Sequence, residues 1–213
     1  MAHPRIKFCG ITNLDDARLA ADAGAWALGM ILWPGSVRSA DPGEAARIAG
    51  ELRRRVELAG VFVNQPLAEV CGLAEGIGLT LVQLHGDEGP SFCAEVARRT
   101  GAKVIKAARV QAGSDVQAME AFHTDFHLLD THRGGHWGGT GETFDWELVR
   151  LRRTTVPLIL SGGLNADNVA AAIAATQPFA VDVSSGTEAS HGIKDPEKLT
   201  AFAAAVDGAG VTA

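Results

Sequence analysis

Two polar side chains stand at the ends of apolar runs and could carry chemistry. Cys9 ends the run RIKFC, just before Gly10, and Asp130 ends the run FHLLD. An ionised thiol can act as a nucleophile or a base, and a carboxyl group can donate a proton. Cys9 could equally be a small buried hydrophobic group, and Asp130 could cap the turn that follows it. The run endings by themselves leave both alternatives open.

Two glycine-rich segments could bind an anion. They are LSGGLN and VDVSSGTE, and their candidate residues are Gly162, Gly163, Ser184, Ser185 and Gly186. Each segment follows or ends an apolar run, and backbone N–H groups in such turns, together with a short helix N-terminus, commonly bind phosphate. Isolated glycines would indicate only tight turns. The placement of these two segments favours phosphate binding.

Two charged residues could orient a ligand. Arg38 is the only basic residue in WPGSVRSADPGEA, and its planar guanidinium can bind a carboxylate through two parallel hydrogen bonds. A solvated loop arginine is the alternative. Asp182 shares the strand parity of Ser184, so it could face a site and orient a sugar hydroxyl, or it could form hydrogen bonds within the protein.

The remaining cysteines and the histidines have no catalytic pattern. Cys71 and Cys93 fall among apolar residues spaced three and four apart, which predicts that both are buried on helices. The three cysteines form neither a disulfide framework nor a metal-binding spacing, and no histidine pair has metal-ligand spacing. His85 shares a strand face with Gln83; bracing a loop is favoured over proton transfer, but the sequence assigns it no definite role. We expect no bound metal.

Apolar runs alternate with helical patterns along the chain. Each run is rich in Val, Ile, Leu or Phe, and apolar residues three and four apart follow it, which indicates a βα alternation. Predicted helix start signals are Asn13, Asp41, Asn165 and Asp195. Eight strands are predicted, at residues 5–9, 26–32, 56–63, 79–84, 103–107, 126–130, 157–161 and 179–184.

These units predict a single (β/α)8 barrel domain over residues 1–213. The strand count fits a closed parallel barrel, and no dinucleotide-type glycine fingerprint follows the first strand. Active sites of such barrels lie at the C-terminal ends of the strands, where Cys9 and Asp130 stand. Alternation along the first strand directs Ile6 and Phe8 toward the helices, and Lys7 and Cys9 toward the barrel interior.

The composition argues against several functional classes. Of the residues, 46% are hydrophobic and 21% are charged, as in an ordinary globular protein. The apolar runs are much shorter than the roughly 20 residues that a membrane span needs. A formal net charge of −6 argues against a general nucleic-acid surface. No signal segment opens the chain, so we expect a cytoplasmic protein without membrane or nucleic-acid partners.

Seven groups of residues follow one another in a specific order. They are KFCGITN, GVFVN, VQLHGDE, LLDT, GGTGETFDW, LSGGLNADNV, and FAVDVSSGTE with GIKDPEKL. In these segments the chain resembles the phosphoribosylanthranilate isomerases of tryptophan biosynthesis over essentially its whole length. The resemblance implies a (β/α)8 barrel that works without a cofactor. Its reaction would be the Amadori rearrangement of N-(5-phosphoribosyl)anthranilate to 1-(o-carboxyphenylamino)-1-deoxyribulose 5-phosphate.

The resemblance also implies roles for single residues. Cys9 matches the family's general base, Asp130 its general acid, and Arg38 the arginine that holds the anthranilate carboxylate. The two glycine-rich turns match the phosphate cradle, and Gly141 joins the substrate-binding residues. A free thiol is mostly protonated at neutral pH, so we expect the site to lower the pKa of Cys9, with Lys7 as the candidate cation. The expected partner is a phosphosugar, and the chain is expected to be a monomer or a homodimer.

Two other functions stay open on the sequence. A related barrel isomerase of the histidine pathway would share the fold and the phosphate turns, but it typically carries a carboxylate in place of Cys9. A noncatalytic phosphoribosyl-binding protein would keep the phosphate turns and lose Cys9 or Asp130. Because both residues are present, the tryptophan-pathway isomerase is the favoured interpretation.

Overall fold

Eight parallel strands close into a barrel in the computed structural model, which describes residues 3–130 and 146–209. Each strand pairs with its neighbour in the sequence, and the last strand pairs with the first, with Asp182 opposite Lys7. The predicted (β/α)8 barrel is therefore confirmed, while the extent of one domain over residues 1–213 stays a prediction. The strands are β1 (Arg5–Cys9), β2 (Ala27–Ile31), β3 (Glu57–Phe62), β4 (Leu81–Leu84), β5 (Lys103–Arg109), β6 (Phe126–Asp130), β7 (Leu158–Ser161) and β8 (Ala180–Val183).

The strand bounds agree with the sequence prediction to within two residues at every end. Strands of a parallel barrel are covered on both faces, so they appear in the sequence as nearly continuous apolar runs. Such runs are easy to locate when turn residues bound them. The small differences fall at residues that flank the ladder, such as Trp26 and Phe179, which precede β2 and β8.

Helices surround the barrel, and local capping determines where several of them begin. Asn13, Asp41 and Asp195 accept hydrogen bonds from N–H groups in the first turns of α1, α2 and α7, as predicted. In the described ranges, every helix is too short or too polar to cross a membrane. The α-helices are α1 (Leu14–Asp22), α2 (Pro42–Leu52), α3 (Leu67–Ile77), α4 (Pro90–Thr100), α5 (Gly113–Ala118), α6 (Val169–Thr176) and α7 (Pro196–Ala209).

Two helical segments differ from the prediction. The side chain of Asn165 accepts hydrogen bonds from the N–H groups two and three residues later, which closes a turn, and α6 begins only at Val169. Asparagine closes such turns as readily as it caps helices. Between β6 and β7, the described helical segment is a 3₁₀-helix, Trp146–Leu151. It ends before Thr-Thr-Val-Pro, whose β-branched residues and Pro157 favour extended backbone.

The core has an outer layer between strands and helices and a smaller layer inside the barrel. Ile6 and Phe8 belong to the outer layer, as the parity of β1 predicts. Small and branched side chains fill the middle of the interior, among them Ala27, Leu81 and Ile159. At the N-terminal end, the rings of Trp26, Phe126 and Phe179 lie 5.2–5.4 Å apart, centre to centre. This aromatic plug closes one end, so the polar interior residues lie toward the other.

Candidate active site

An arc of polar side chains runs along the barrel interior from β6 to β1. Lys7 Nζ donates to Asp182 Oδ1 at 2.6 Å, and Ser161 Oγ donates to Asp182 Oδ2 at 2.9 Å. Asp130 pairs in register with Ser161 across β6 and β7, and Cys9 lies two residues beyond Lys7 on β1. Side chains of equal parity share one strand face, so these five residues line the interior. The candidate acid and base stand at the two ends of this arc.

Cys9 and Lys7 come together because β2 offers a glycine opposite them. A Cβ atom on Gly29 would lie 2.8 Å from Cys9 Sγ and 2.9 Å from Lys7 Nζ, closer than real Cβ atoms approach. The thiol and the ammonium group therefore share the space that this glycine leaves open. The side chain of Lys7 is fully buried, as expected from its inward parity on β1. Lys7 is thus a buried cation next to the candidate base.

The electrostatics of Cys9 differ from the prediction. Burial raises the pKa of the thiol, the positive charges of Lys7 and Lys194 lower it only partly, and Asp182 raises it further. The expected lowering of the Cys9 pKa is therefore wrong for this structure, although Lys7 acts in the predicted direction. Burial lowers the pKa of Lys7, but the charges of Asp182 and Cys9 outweigh it, so the net pKa of Lys7 is raised.

Both oxygens of Asp182 are engaged within the protein. One accepts from Lys7 and the other from Ser161, and the residue is almost completely buried. A carboxylate without partners in such surroundings would cost several kcal/mol, so the two hydrogen bonds are what make its burial tolerable. This arrangement supports the alternative in which Asp182 holds other side chains in place.

Arg38 is paired with a glutamate to which the sequence interpretation gave no role. Its Nε donates to Glu188 Oε1 at 2.7 Å, and its Nη2 donates to Glu188 Oε2 at 2.7 Å. Burial raises the pKa of Glu188, but the hydrogen bonds from Arg38 and the charge of Lys194 outweigh it, so the net pKa is lowered. The segment SSGTE contains Glu188, but the residue is 150 positions from Arg38 in sequence, so no local pattern could reveal the pair.

Gly10 brings three loops together directly after Cys9. Its φ is +76°, a conformation that L side chains rarely adopt. A Cβ atom there would lie 2.7 Å from Ser184 Oγ and 3.1 Å from Arg38 Cδ. The loops after β1, β2 and β8 therefore meet at this glycine, which brings Arg38 and the second glycine-rich turn to the end of β1.

The two glycine-rich turns lie against each other at the C-terminal end of the barrel. Gly162 and Gly163 have φ values of +102° and +65°, and a Cβ atom on Gly186 would overlap the carbonyl oxygen of Leu164. Ser184 and Ser185 begin the second turn, whose residues Ser185–Thr187 form a single 3₁₀ turn. The structure thus brings the predicted phosphate-binding residues of both turns to one place, while phosphate binding itself stays a prediction.

A buried lysine braces the second turn. Lys194 Nζ donates to the carbonyl oxygen of Ser184 at 3.0 Å and to Thr187 Oγ1 at 3.2 Å, and it lies 3.8 Å from Glu188 Oε1. Burial lowers the pKa of Lys194. Lys194 lies in the segment GIKDPEKL, to which the sequence resemblance gave no role for a lysine. It lies in a short strand, β10 (Ile193–Lys194), which pairs with β9 (Glu188–Ser190). Because Asp195 follows Lys194 directly, no apolar pattern in the sequence marks this lysine as buried.

His85, to which the sequence assigned no definite role, lies next to the candidate acid. Gln83 Nε2 donates to His85 Nδ1 at 3.1 Å, and His85 Nε2 lies 3.5 Å from Asp130 Oδ2. With Nδ1 as the acceptor, a neutral His85 carries its proton on Nε2, facing Asp130. The shared face of Gln83 and His85 was visible in the sequence, whereas Asp130 reaches them from another strand.

Cys71 and Cys93 are buried on α3 and α4, as predicted. Gly141 lies outside the described residues. In residues 3–130 and 146–209, no three His, Cys, Asp or Glu side chains are grouped so as to hold a metal ion.

Comparisons with known proteins agree with this geometry. Residues 6–205 match the family model described as N-(5'phosphoribosyl)anthranilate (PRA) isomerase. The isomerase of Pelobacter propionicus is 46% identical over 198 residues, which are 93% of each chain. A crystal structure of a phosphoribosylanthranilate isomerase with reduced 1-(o-carboxyphenylamino)-1-deoxyribulose 5-phosphate is 39% identical, with a TM-score of 0.82, covering 96% of this chain and 99% of that one. Monomers generated from the dimeric Thermotoga maritima enzyme are 40% identical, with the same TM-score and coverage. The chain therefore belongs to the phosphoribosylanthranilate isomerase family.

Proposed function

We propose that this chain catalyses the Amadori rearrangement of N-(5-phosphoribosyl)anthranilate in the cytoplasm, with Cys9 as general base and Asp130 as general acid. One observation carries the proposal: the interior arc ends in a thiol on β1 and a carboxyl group on β6. A thiol and a carboxyl group at separate points of the barrel rim can act on two different atoms of one small substrate. The reaction requires proton donation at one atom and proton removal at another.

The first step is ring opening. Asp130, protonated, donates its proton to the furanose ring oxygen while the bond from that oxygen to C1 breaks. The lone pair of the anthranilate nitrogen forms the C1=N bond of a Schiff base. His85, 3.5 Å from Asp130, holds the carboxyl group in position for this transfer. No metal or other cofactor is needed, because the substrate's own nitrogen supplies the electron pair.

The second step is proton transfer from carbon. Cys9, as thiolate, takes the proton from C2, and the electron pair of that C–H bond forms a C1=C2 double bond while the C1=N electrons return to nitrogen. The resulting enol loses its hydroxyl proton as C1 gains a proton, which leaves the ketone product. Lys7 beside the sulfur stabilises the thiolate that this step requires.

Substrate binding is assigned to Arg38 and the two glycine-rich turns. The pair with Glu188 uses Nε and Nη2 of Arg38, so Nη1 can bind the anthranilate carboxylate while Glu188 holds the guanidinium in place. The turns around Gly163 and Gly186 would hold the phosphate. Asp182 is assigned to the positioning of Lys7, because both of its oxygens are already engaged.

The test compares three single variants in a fluorescence assay of phosphoribosylanthranilate consumption. Cys9→Ser and Asp130→Asn keep the size of each side chain but remove the group that transfers the proton. Each should lower kcat by roughly a hundredfold or more, the usual effect of losing a general acid or base. Cys71→Ser is the matched control, because Cys71 is buried on α3 away from the interior arc. A folded Cys9→Ser variant with near-normal kcat would show that the base lies elsewhere.

A further inference from the structure

A cavity of about 430 Å³ lies at the end of the barrel opposite to Cys9. It is formed where β1, β7 and β8 begin, next to the aromatic plug, and its volume is within the range of about 300–1,000 Å³ typical of small-molecule sites. Its lining includes two arginines but, among the described residues, no aspartate or glutamate. The polar residues that line it are His3, Arg5, Arg152, Thr154, Thr155 and Gln177. In a protein with a net charge of −6, this is a local concentration of positive charge.

Arg152 holds its charge there without a carboxylate partner in the described parts of the chain. Its Nη2 donates to the carbonyl oxygen of Val156, while its Nε is buried without a hydrogen-bond partner among the described residues. Burial lowers the pKa of Arg152, and its positive charge in turn helps lower the pKa of His127, after the larger effect of burial. The protein therefore leaves the positive charge of Arg152 only partly compensated, and an anion in the cavity that Arg152 lines would stabilise this charge.

Arg5 is held at the same cavity by aromatic rings. Its guanidinium carbon lies 5.0 Å from the ring centre of Phe179 and 5.8 Å from that of Trp26. Cation–π contacts of this kind hold a guanidinium by its face and leave its N–H donors in the plane for other partners. Other arginines, such as Arg18 with Glu51 and Arg98 with Glu95, use those donors on carboxylates.

Hydroxyl groups complete the set of donors. Thr154 Oγ1 accepts a hydrogen bond from the N–H of Val156 at 3.2 Å, so its own proton can be donated to a ligand. Thr155 is exposed at the same cavity and adds a second hydroxyl. Two guanidinium groups with neighbouring hydroxyls are the donor set that binds tetrahedral oxyanions.

We propose that this cavity is a second anion site, separate from the active site, that binds a phosphate ion or the phosphate group of a small metabolite. The site is independent of the proposed reaction, because it uses no residue of the interior arc or of the glycine-rich turns.

Isothermal titration with inorganic phosphate at constant ionic strength tests the proposal. The decisive quantity is the difference between wild type and variants in the number and affinity of bound phosphate ions, because the active-site turns could bind phosphate as well. Arg152→Gln removes the cation, and Thr155→Glu places a carboxylate at the exposed rim. Arg152→Gln should remove one binding site or weaken it by at least about tenfold, the usual effect of losing a charge-assisted hydrogen bond. Thr155→Glu should weaken the same site, because its carboxylate repels the bound anion. The matched control is Arg153→Gln, which removes an exposed arginine that does not line the cavity and should leave the isotherm unchanged.

The phosphate isotherms of the variants decide whether the second anion site exists. Identical isotherms for wild type, Arg152→Gln and Thr155→Glu would overturn the proposal. If Arg152→Gln fails to fold, Thr155→Glu decides, because its side chain is exposed. Glycerol 3-phosphate serves as a second probe. If the site is built for a phosphate ester, glycerol 3-phosphate should bind more tightly than inorganic phosphate. If the site is built for a free phosphate ion, glycerol 3-phosphate should bind no more tightly.

Discussion

Replacing Lys7 with Met should lower the free energy of unfolding by about 3–5 kcal/mol, the cost of removing one partner of a buried ion pair. Lys7 Nζ lies 2.6 Å from Asp182 Oδ1, and the two side chains are 0% and 7% exposed. Methionine fills the space of the lysine stem but leaves the Asp182 carboxylate buried, with Ser161 Oγ as its remaining side-chain donor in the arc. In a chain of this length, that loss corresponds to a fall in Tm of roughly 6–20 °C.

Urea unfolding followed by tryptophan fluorescence measures this loss. The double variant Lys7→Met/Asp182→Asn removes both charges and should recover much of the stability, because replacing both partners of a buried pair is far less costly than removing one. Lys103→Met is the surface control. Lys103 Nζ lies 3.7 Å from Glu57 Oε1 and its side chain is 54% exposed, so its removal should cost less than about 1 kcal/mol.

The pH dependence gives a second measure of the same pair. The pKa of Lys7 is raised in the folded state, so the stability from its charge is fully present below the ordinary lysine pKa of 10.5 and is lost as the pH rises through the folded value. The difference between wild type and Lys7→Met should therefore be constant from pH 7 to about 9 and shrink above 10.5. Equal urea midpoints for wild type and Lys7→Met at pH 7 would refute this reasoning.

Two further predictions concern the site. Because burial raises the pKa of Cys9 above its ordinary value of 9.0, the ultraviolet absorbance of its thiolate, measured as the difference between wild type and Cys9→Ser, should still increase with pH at pH 9; a plateau of this absorbance below pH 8 would contradict this. Arg38→Met should lower kcat/KM by a factor that corresponds to on the order of 2 kcal/mol of activation free energy, because the contact with the substrate carboxylate is lost. It should also destabilise the protein, because Glu188 stays buried without its main partner. Adding Glu188→Gln should restore stability but not kcat/KM, whereas restored activity would remove Arg38 from substrate binding.

The sequence by itself determined the elements and the parity of β1. Apolar runs and helical spacing are local properties, so the strand positions and the barrel could be read directly from them. The same holds for the caps at Asn13 and Asp41, since a helix start depends on a few adjacent residues. The strand parity also directed Lys7 and Cys9 inward, as the structure has them. The prediction that a helix starts at Asn165 was wrong, because capping a helix and closing a turn use the same side-chain chemistry.

Only the tertiary structure decided which polar groups meet. Lys7 and Asp182 are 175 residues apart in the chain, and Arg38 and Glu188 are 150 apart. Their contacts depend on barrel closure and strand register, which no local pattern encodes. The contact between His85 and Asp130 arises in the same way, from two strands that are not adjacent. The pKa of Cys9 depended on the tertiary structure most of all, because every group packed around the thiol contributes to its desolvation. Here desolvation outweighs the positive charge of Lys7, which the sequence placed nearby.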